Sequence, residues 1–275
     1  MNSRKIRRFT ITQRVFHFLL VISFMIQGLT GFARLFIETG LGKGLASVFG
    51  GYDGALVVHK ASGTFMVLLF LCHLVYLAVV IDWKRFPGSV FGPDTLMPRL
   101  SDFRDFFQHI GWFLGLAEEP KFERWGYWEK FGYWAVFWGV AIFGVTGFML
   151  FDPVATARYL PGWTMNVALY LHREETELAM GYLFIAHFFV AHFRPRRFPM
   201  DRVIFDGTLD FGETAEERPD WIGRMEEEGV LERQMVVSEP SQAYRIASFI
   251  FGYLMVGVGI FLLIYGLMNV ERFIV

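Results

Sequence analysis

The chain has 275 residues, of which 54% are hydrophobic and 18% aromatic but only 19% charged, well short of the roughly 25% that a soluble domain carries. That is a membrane composition, and a net charge of -1 offers nothing to a nucleic acid. The single cysteine, Cys72, excludes an internal disulfide, a CxxCH attachment site for a thioether-linked cofactor and an iron–sulfur cluster held by this chain.

Five stretches approach the length of about 20 apolar residues that a bilayer crossing needs: 15–33, 55–81, 131–151, 176–193 and 246–270. The fourth starts near 169 if its polar beginning, with Arg173, Glu174, Glu175 and Glu177, is helical. Arg4, Lys5, Arg7 and Arg8 precede the first span. That span is long for the apolar core of a signal peptide and no small-residue cleavage site follows it, which predicts an uncleaved signal anchor.

The loop 82–130 is too long for a simple turn. Its part 100–116 alternates Phe103, Phe106, Phe107, Ile110, Trp112 and Phe113 with Asp102, Arg104, Asp105 and Gln108, a pattern that suits a helix lying in the membrane interface. Segment 206–242 carries Glu213, Glu216, Glu217, Glu226, Glu227 and Glu228 and reads as an acidic, soluble connector with short helices and no phosphate-binding glycine loop.

Charge sets the orientation. Segments 1–14, 82–130 and 194–245 hold 5, 7 and 8 of the 26 Lys and Arg residues, and such loops stay cytoplasmic. The amino terminus is therefore expected inside and the carboxyl terminus outside. The division that follows is a transmembrane core over 1–200 with its cytoplasmic loop at 82–130, a connector over 201–245 and a fifth transmembrane helix over 246–275.

Besides His192 at the very end of the fourth, five histidines fall in these apolar spans: His17, His59, His73, His172 and His187. A bilayer makes such side chains expensive, so each is a functional candidate by default. His59 and His73 are 14 residues apart and His172 and His187 are 15 apart, which on an α-helix spans roughly 21–23 Å and returns the side chain to within about 40–60° of one face. Topology puts His59 and His172 near the outer surface, with His17, His73 and His187 deeper. The outer pair is then His59 with His172, and the inner ligands come from among the other three. Simple helix-to-helix hydrogen bonding is the bland alternative, and matching depths argue against it.

Paired imidazoles at two levels suit two flat cofactors clamped between helices, and haem b is the candidate. A structural zinc site would need ligands converging within about 2 Å of one ion, and Cys72 and His73, being neighbours, point apart. Iron held by two histidines is coordinatively saturated and passes electrons rather than binding substrate. Gly28, Gly31, Gly63, Gly144, Gly147 and Gly181 could give a macrocycle room against the backbone, and Lys60, Arg173 and Arg14 flank the histidines where propionates would end. His192, five residues past His187 and turned about 140° from it on an α-helix, reads as interfacial, beside Arg194, Arg196 and Arg197. His109 reads as solvated or interfacial.

At these residues the chain resembles the integral-membrane b-type cytochromes that include the membrane subunits of periplasmic formate dehydrogenases and nickel–iron hydrogenases, closest to the branch that accompanies multihaem c-type cytochromes. The resemblance rests on TQRVFHFLL around His17, VHKASGTFMVLLFLCHLVYL around His59 and His73, EKFGYWAVFWGVAIFGVTGFML in the third span, and YLHREETELAMGYLFIAHFFVAHFRPRRFPMD around His172 and His187, and covers roughly 5–210. It implies a four-helix core with two b haems, one on His59 and His172 and the other on His17 and His187, with quinone exchanging near the inner haem. His73 departs from that pattern. Depth alone slightly favours His73 opposite His187, the family pattern favours His17, and the family pattern is followed here, with His73 kept as inner ligand, quinone contact or support for a third haem.

The expected fold is thus an all-α membrane protein, a four-helix transmembrane haem-binding bundle plus one extra C-terminal transmembrane helix that could dock a partner or complete a dimer. The expected role is that of a di-haem cytochrome b in the bacterial inner membrane. As the quinone-reactive subunit of a respiratory oxidoreductase complex, it would carry electrons between menaquinone or ubiquinone and a periplasmic multihaem cytochrome c or dehydrogenase subunit. His73, His17, Asp82 and Glu129 are candidates for proton exchange at the quinone. The rivals are a proton or ion transporter using the histidines as a relay, against which no convincing internal repeat is found, and a haem-less membrane anchor of a redox complex.

Overall fold

The computed structural model of the chain describes residues 4–194, 197–236 and 240–269. In chain order these form β1 (Lys5–Arg7), α1 (Ile11–Leu35), α2 (Gly40–Val48), α3 (Gly51–Val80), α4 (Leu100–Phe113), α5 (Tyr127–Phe151), α6 (Trp163–Gly181), β2 (Thr208–Asp210), α7 (Phe211–Glu217), α8 (Pro219–Glu227), β3 (Met235–Val236) and α9 (Gln242–Met268), with single short turns between some of them. Helix α6 continues through two π-helical stretches, Tyr182–His187 and Phe189–Phe193. With that extension, α1, α3, α5, α6 and α9 are the five helices long and apolar enough to cross a membrane, and the protein is an all-α membrane protein with a small sheet added.

Each crossing helix begins several residues before its hydropathy does, and at α1 and α5 polar residues cap the start. Thr10 N–H donates to Gln13 Oε1 at 2.9 Å and Gln13 N–H to Thr10 Oγ1 at 3.3 Å, a reciprocal capping box that starts α1 at Ile11 rather than 15. Glu129 accepts from the Gly126 amide at 2.8 Å at the head of α5. The polar run Arg173–Glu177 lies inside α6. The expected end of the fifth span, Val270, and Arg196 lie outside the described residues.

The described residues divide into two compact units. The first takes residues up to Arg14, Leu74–Ala135 and Arg202–Ser241. In it, β1 is the centre strand of a three-stranded sheet of order β2-β1-β3, antiparallel throughout. The register sets Ile6 opposite Leu209 on one side and Met235 on the other. Ile6, fully buried, packs with Leu209, Trp221, Ile222 and Met225. The connector is therefore not simply a solvated link: it carries the expected short helices α7 and α8, but closes around the amino-terminal strand, which no hydropathy pattern announces in three residues.

Arg8 is 2% exposed, lies 3.9 Å over the ring centre of Trp125 and pairs with Glu129 at 2.9 Å. Arg218, also buried, pairs with the other oxygen of Glu129 at 3.0 Å. Burial pulls the Arg8 guanidinium down to about 9, against the opposing pull of Glu129, so it stays cationic at neutral pH. Glu129 is thus the counter-ion of two buried cations and not a free acid for proton exchange. Lys130, 4% exposed, reaches Asp102 of α4 at 2.8 Å. The outward residues of α4, Leu100, Phe103, Phe107 and Phe113, are 64–88% exposed, as an interfacial helix requires.

The second unit takes Val15–His73, Val136–Asp201 and the chain from Gln242. Its core joins Met25, Phe32 and Phe36 of α1 to Met180 and Phe184 of α6 and Leu262 of α9. Helix α9 buries the stripe Ser248, Gly252, Val256, Gly259, Leu262 and Gly266, small residues that permit close approach without a hydrophobic driving force from lipid. The fifth helix is therefore part of this chain's own core.

Two outcomes are expected. Glu129→Ala leaves Arg8 and Arg218 buried without their shared anion and lowers stability by about 3–5 kcal/mol, read by thermal unfolding in detergent; Glu129→Gln, whose one amide oxygen can accept in place of only one carboxylate oxygen, falls between. At Gly259 an added Cβ would sit 1.8 Å from the Phe184 ring, so Gly259→Ala costs about 1–3 kcal/mol by overpacking, whereas Gly257→Ala, in open space, leaves the melting temperature where it was.

Candidate functional site

Four of the five intramembrane histidines meet in pairs within the second unit. The rings of His59 on α3 and His172 on α6 have their centres 6.2 Å apart. Those of His17 on α1 and His187 in the first π-helical stretch are 6.4 Å apart. On α6 the two ligand candidates are 15 residues apart, which sets the two pairs at levels separated by roughly 20 Å. Among the described residues no three His, Cys, Asp or Glu side chains converge to hold a metal ion, so these are pairs and not a zinc-like cluster.

The separation of each pair is a test of what it could hold. Metal–imidazole bonds of about 2 Å, with each nitrogen about 1.2 Å from its ring centre, put two in-line imidazoles on one metal about 6.4 Å apart between centres. Both pairs meet that requirement.

The neighbours of the outer pair complete the picture. His59 Nδ1 lies 2.9 Å from Thr30 Oγ1 of α1, and His172 Nδ1 lies 2.8 Å from Thr146 Oγ1 of α5. Both threonines are buried, at 0% and 4% exposure. The glycine after each makes room: a Cβ on Gly31 would be 3.7 Å from His59 Cε1, and one on Gly147 would be 3.4 Å from His172 Cε1. Each ring thus presents its Nδ1–Cε1 edge to a threonine–glycine step, which leaves Nε2 for a metal. Gln27 adds a brace, its Nε2 donating to the His59 carbonyl and to Ser62 Oγ, each at 2.7 Å. At the inner level, His17 Nδ1 is buried with no hydrogen-bond partner. The donor sets fit a bis-histidine iron macrocycle at both levels.

The remaining candidates fall elsewhere. His73 meets Phe16, ring centres 5.5 Å apart, while the ring brought to His187 is that of His17. Depth fixes a level, but which helix faces which decides the partner, and helical counting alone does not supply that. Of the glycines, Gly28, Gly63 and Gly144 pack against Leu262, Gln27 and Val67, and Gly181 faces open space. Lys60 Nζ donates to the Phe151 carbonyl at 2.7 Å, and Arg14 donates to the carbonyls of Ile204 and Phe205. Asp82 caps a turn by accepting from the Lys84 amide at 3.1 Å.

His192 corrects its interfacial reading. It is 8% exposed, among Phe188, Phe193 and Tyr253. Five residues turn about 140° on an α-helix, but in i→i+5 geometry they complete little more than one turn. His192 therefore comes back to the side of His187. His109 is likewise not merely solvated: its Nδ1 lies 3.0 Å from the Tyr127 hydroxyl and its ring stacks on Phe113 at 4.8 Å.

Thr30 and Thr146 escaped the reading of the sequence, although a signal was there. Residues 28–32 read GLTGF and 144–148 read GVTGF, and each outer histidine is followed by a cation, His59–Lys60 and His172–Arg173. The chain carries this short internal echo, one copy per pair of helices.

The family described as prokaryotic cytochrome b561 matches residues 8–204, a stretch that takes in α1, α3, α5, α6 and all five intramembrane histidines. No curated protein matches the chain. With a family match over most of its length and a four-helix, paired-histidine core to go with it, the chain belongs to the prokaryotic cytochrome b561 family, and is a multi-pass membrane b-type cytochrome that works in electron transfer with haem b.

Proposed function

We propose that this chain is a di-haem conduit that carries electrons between the quinone pool and a redox partner outside the bacterial inner membrane. The partner would be a multihaem cytochrome c or a dehydrogenase subunit. The observation that supports this is the repetition of one ring separation, 6.2 and 6.4 Å, at two levels of one helix bundle. In this reading His59 and His172 hold the outer haem and His17 and His187 the inner one. Haem so ligated supplies one-electron transfer at a saturated iron.

The chain's own residues do the rest. Helices α1, α3, α5 and α6 fix the imidazoles, and the apolar side chains around them exclude water. The basic segments 1–14, 82–130 and 194–245 hold the amino terminus in the cytoplasm, which after five crossings puts the carboxyl terminus in the periplasm. Quinone, menaquinone or ubiquinone, exchanges near the inner pair, with His73 the candidate to contact it; its two electrons pass singly, with protons taken up or released at its site. A quinone reaction inside and a partner outside make the transfer sensitive to the membrane potential.

A visible spectrum of the purified protein tests this at once: a sharp Soret band with resolved α and β bands on reduction is expected, with two haems per chain, and a colourless protein overturns it. His59→Ala or His172→Ala removes one haem equivalent and leaves the other; unchanged haem content contradicts the outer pair. Gly147→Leu, which drives a side chain onto the His172 ring, also loses the outer haem, while Gly181→Leu, directed into open space, retains both.

A further inference from the structure

The outer histidines share a neighbour that His17 of the inner pair lacks, and its protons can be assigned. Thr30 Oγ1 is 2.7 Å from the Ile26 carbonyl oxygen, and Thr146 Oγ1 is 2.7 Å from that of Ile142. Two oxygens at that distance repel unless a proton lies between them, and a carbonyl has none to give. Each hydroxyl therefore spends its single proton on the backbone carbonyl one turn earlier. It meets the nearby Nδ1 with its lone pairs only, so the proton in each Thr–His contact must come from the imidazole.

We propose that Thr30 and Thr146 are positioning residues for the outer haem site. Each accepts the Nδ1 proton of its histidine, fixes the tautomer that offers Nε2 to iron, holds the ring's rotation and strengthens Nε2 as a donor. This rests on the haem-binding reading of the two pairs. A partner of this kind on the far nitrogen is what orients and tunes a metal-bound histidine. Both imidazoles of the outer pair are held in this way, each by a buried hydroxyl on a neighbouring helix with a glycine beside it. His17, in contrast, has a buried Nδ1 with no hydrogen-bond partner. The two levels are thus electronically unequal, and a stronger donor set at the outer one favours its oxidised form.

The test is a spectroelectrochemical titration of the full-length protein in detergent, with Thr30→Val, Thr146→Val and the double variant. His59→Ala identifies which spectral component is the outer one. Valine keeps the shape of threonine and removes the acceptor. The midpoint potential of the outer component is expected to rise in each single variant and further in the double, with the inner component unmoved, and Thr→Ser at either position should restore the original value. Selective loss of the outer haem, reversed by serine, is the same result in a stronger form. An outer component that keeps its potential when both hydroxyls are gone, or an inner component that shifts equally, overturns the proposal while leaving the di-haem reading intact. A wild-type protein without haem overturns both.

Discussion

The structure depends on one constraint: an imidazole inside a bilayer has to be answered by another polar or metal partner, because no water is there to do it. In this chain the answer is given twice, by bringing two imidazoles from different helices to nearly the same separation. Everything nearby serves that spacing. Glycines at 31 and 147 let α1 and α5 pass close to the histidine rings. Gln27 ties α1 to α3 at the turn that carries His59. Small residues along α9 let it seal the core that Phe184 and Met180 share with α1.

Helix irregularity is part of the same economy of space. Helix α6 carries ligand candidates at both levels, yet it turns π-helical over Tyr182–His187 and Phe189–Phe193. Stretches of this kind occur at functional sites because they move a side chain off its α-helical face. Here the change affects the inner end, where His187 meets His17 and His192 is drawn under Phe188 and Tyr253. Helix α9 packs against this very region, through Gly259 on Phe184 and Tyr253 on His192, a contact that its sequence, outside the family match, does not disclose.

What could be read from the sequence was what depends on composition and regular repeats. The five crossings were legible because about 20 apolar residues have few other uses. The two levels of candidate histidines were legible because 14 and 15 residues return a straight helix to nearly one face. Three things were not. Helix starts were misplaced by several residues, since the capping box of Thr10 and Gln13 is polar and hydropathy skips it. The partner of His187 could not be chosen from depth, and His192 was misassigned because π-helical turns leave no mark in spacing. The strand Lys5–Arg7 is too short to show an alternation, and its pairing with Thr208–Asp210 and Met235–Val236 joins segments about 200 residues apart.

The amino-terminal basic residues show why charge counting and structure answer different questions. As a count, Arg4, Lys5, Arg7 and Arg8 bear only on the expected orientation, and any basic residue would serve equally. In the fold they are not equivalent: Lys5 and Arg7 lie in the centre strand, and Arg8 is buried between Trp125 and Trp221 with Glu129 as counter-ion. A buried guanidinium that shares one carboxylate with Arg218 is expensive to form and more expensive to break. Its position two residues before the capping box of α1 places this costly ion pair where the first crossing helix starts.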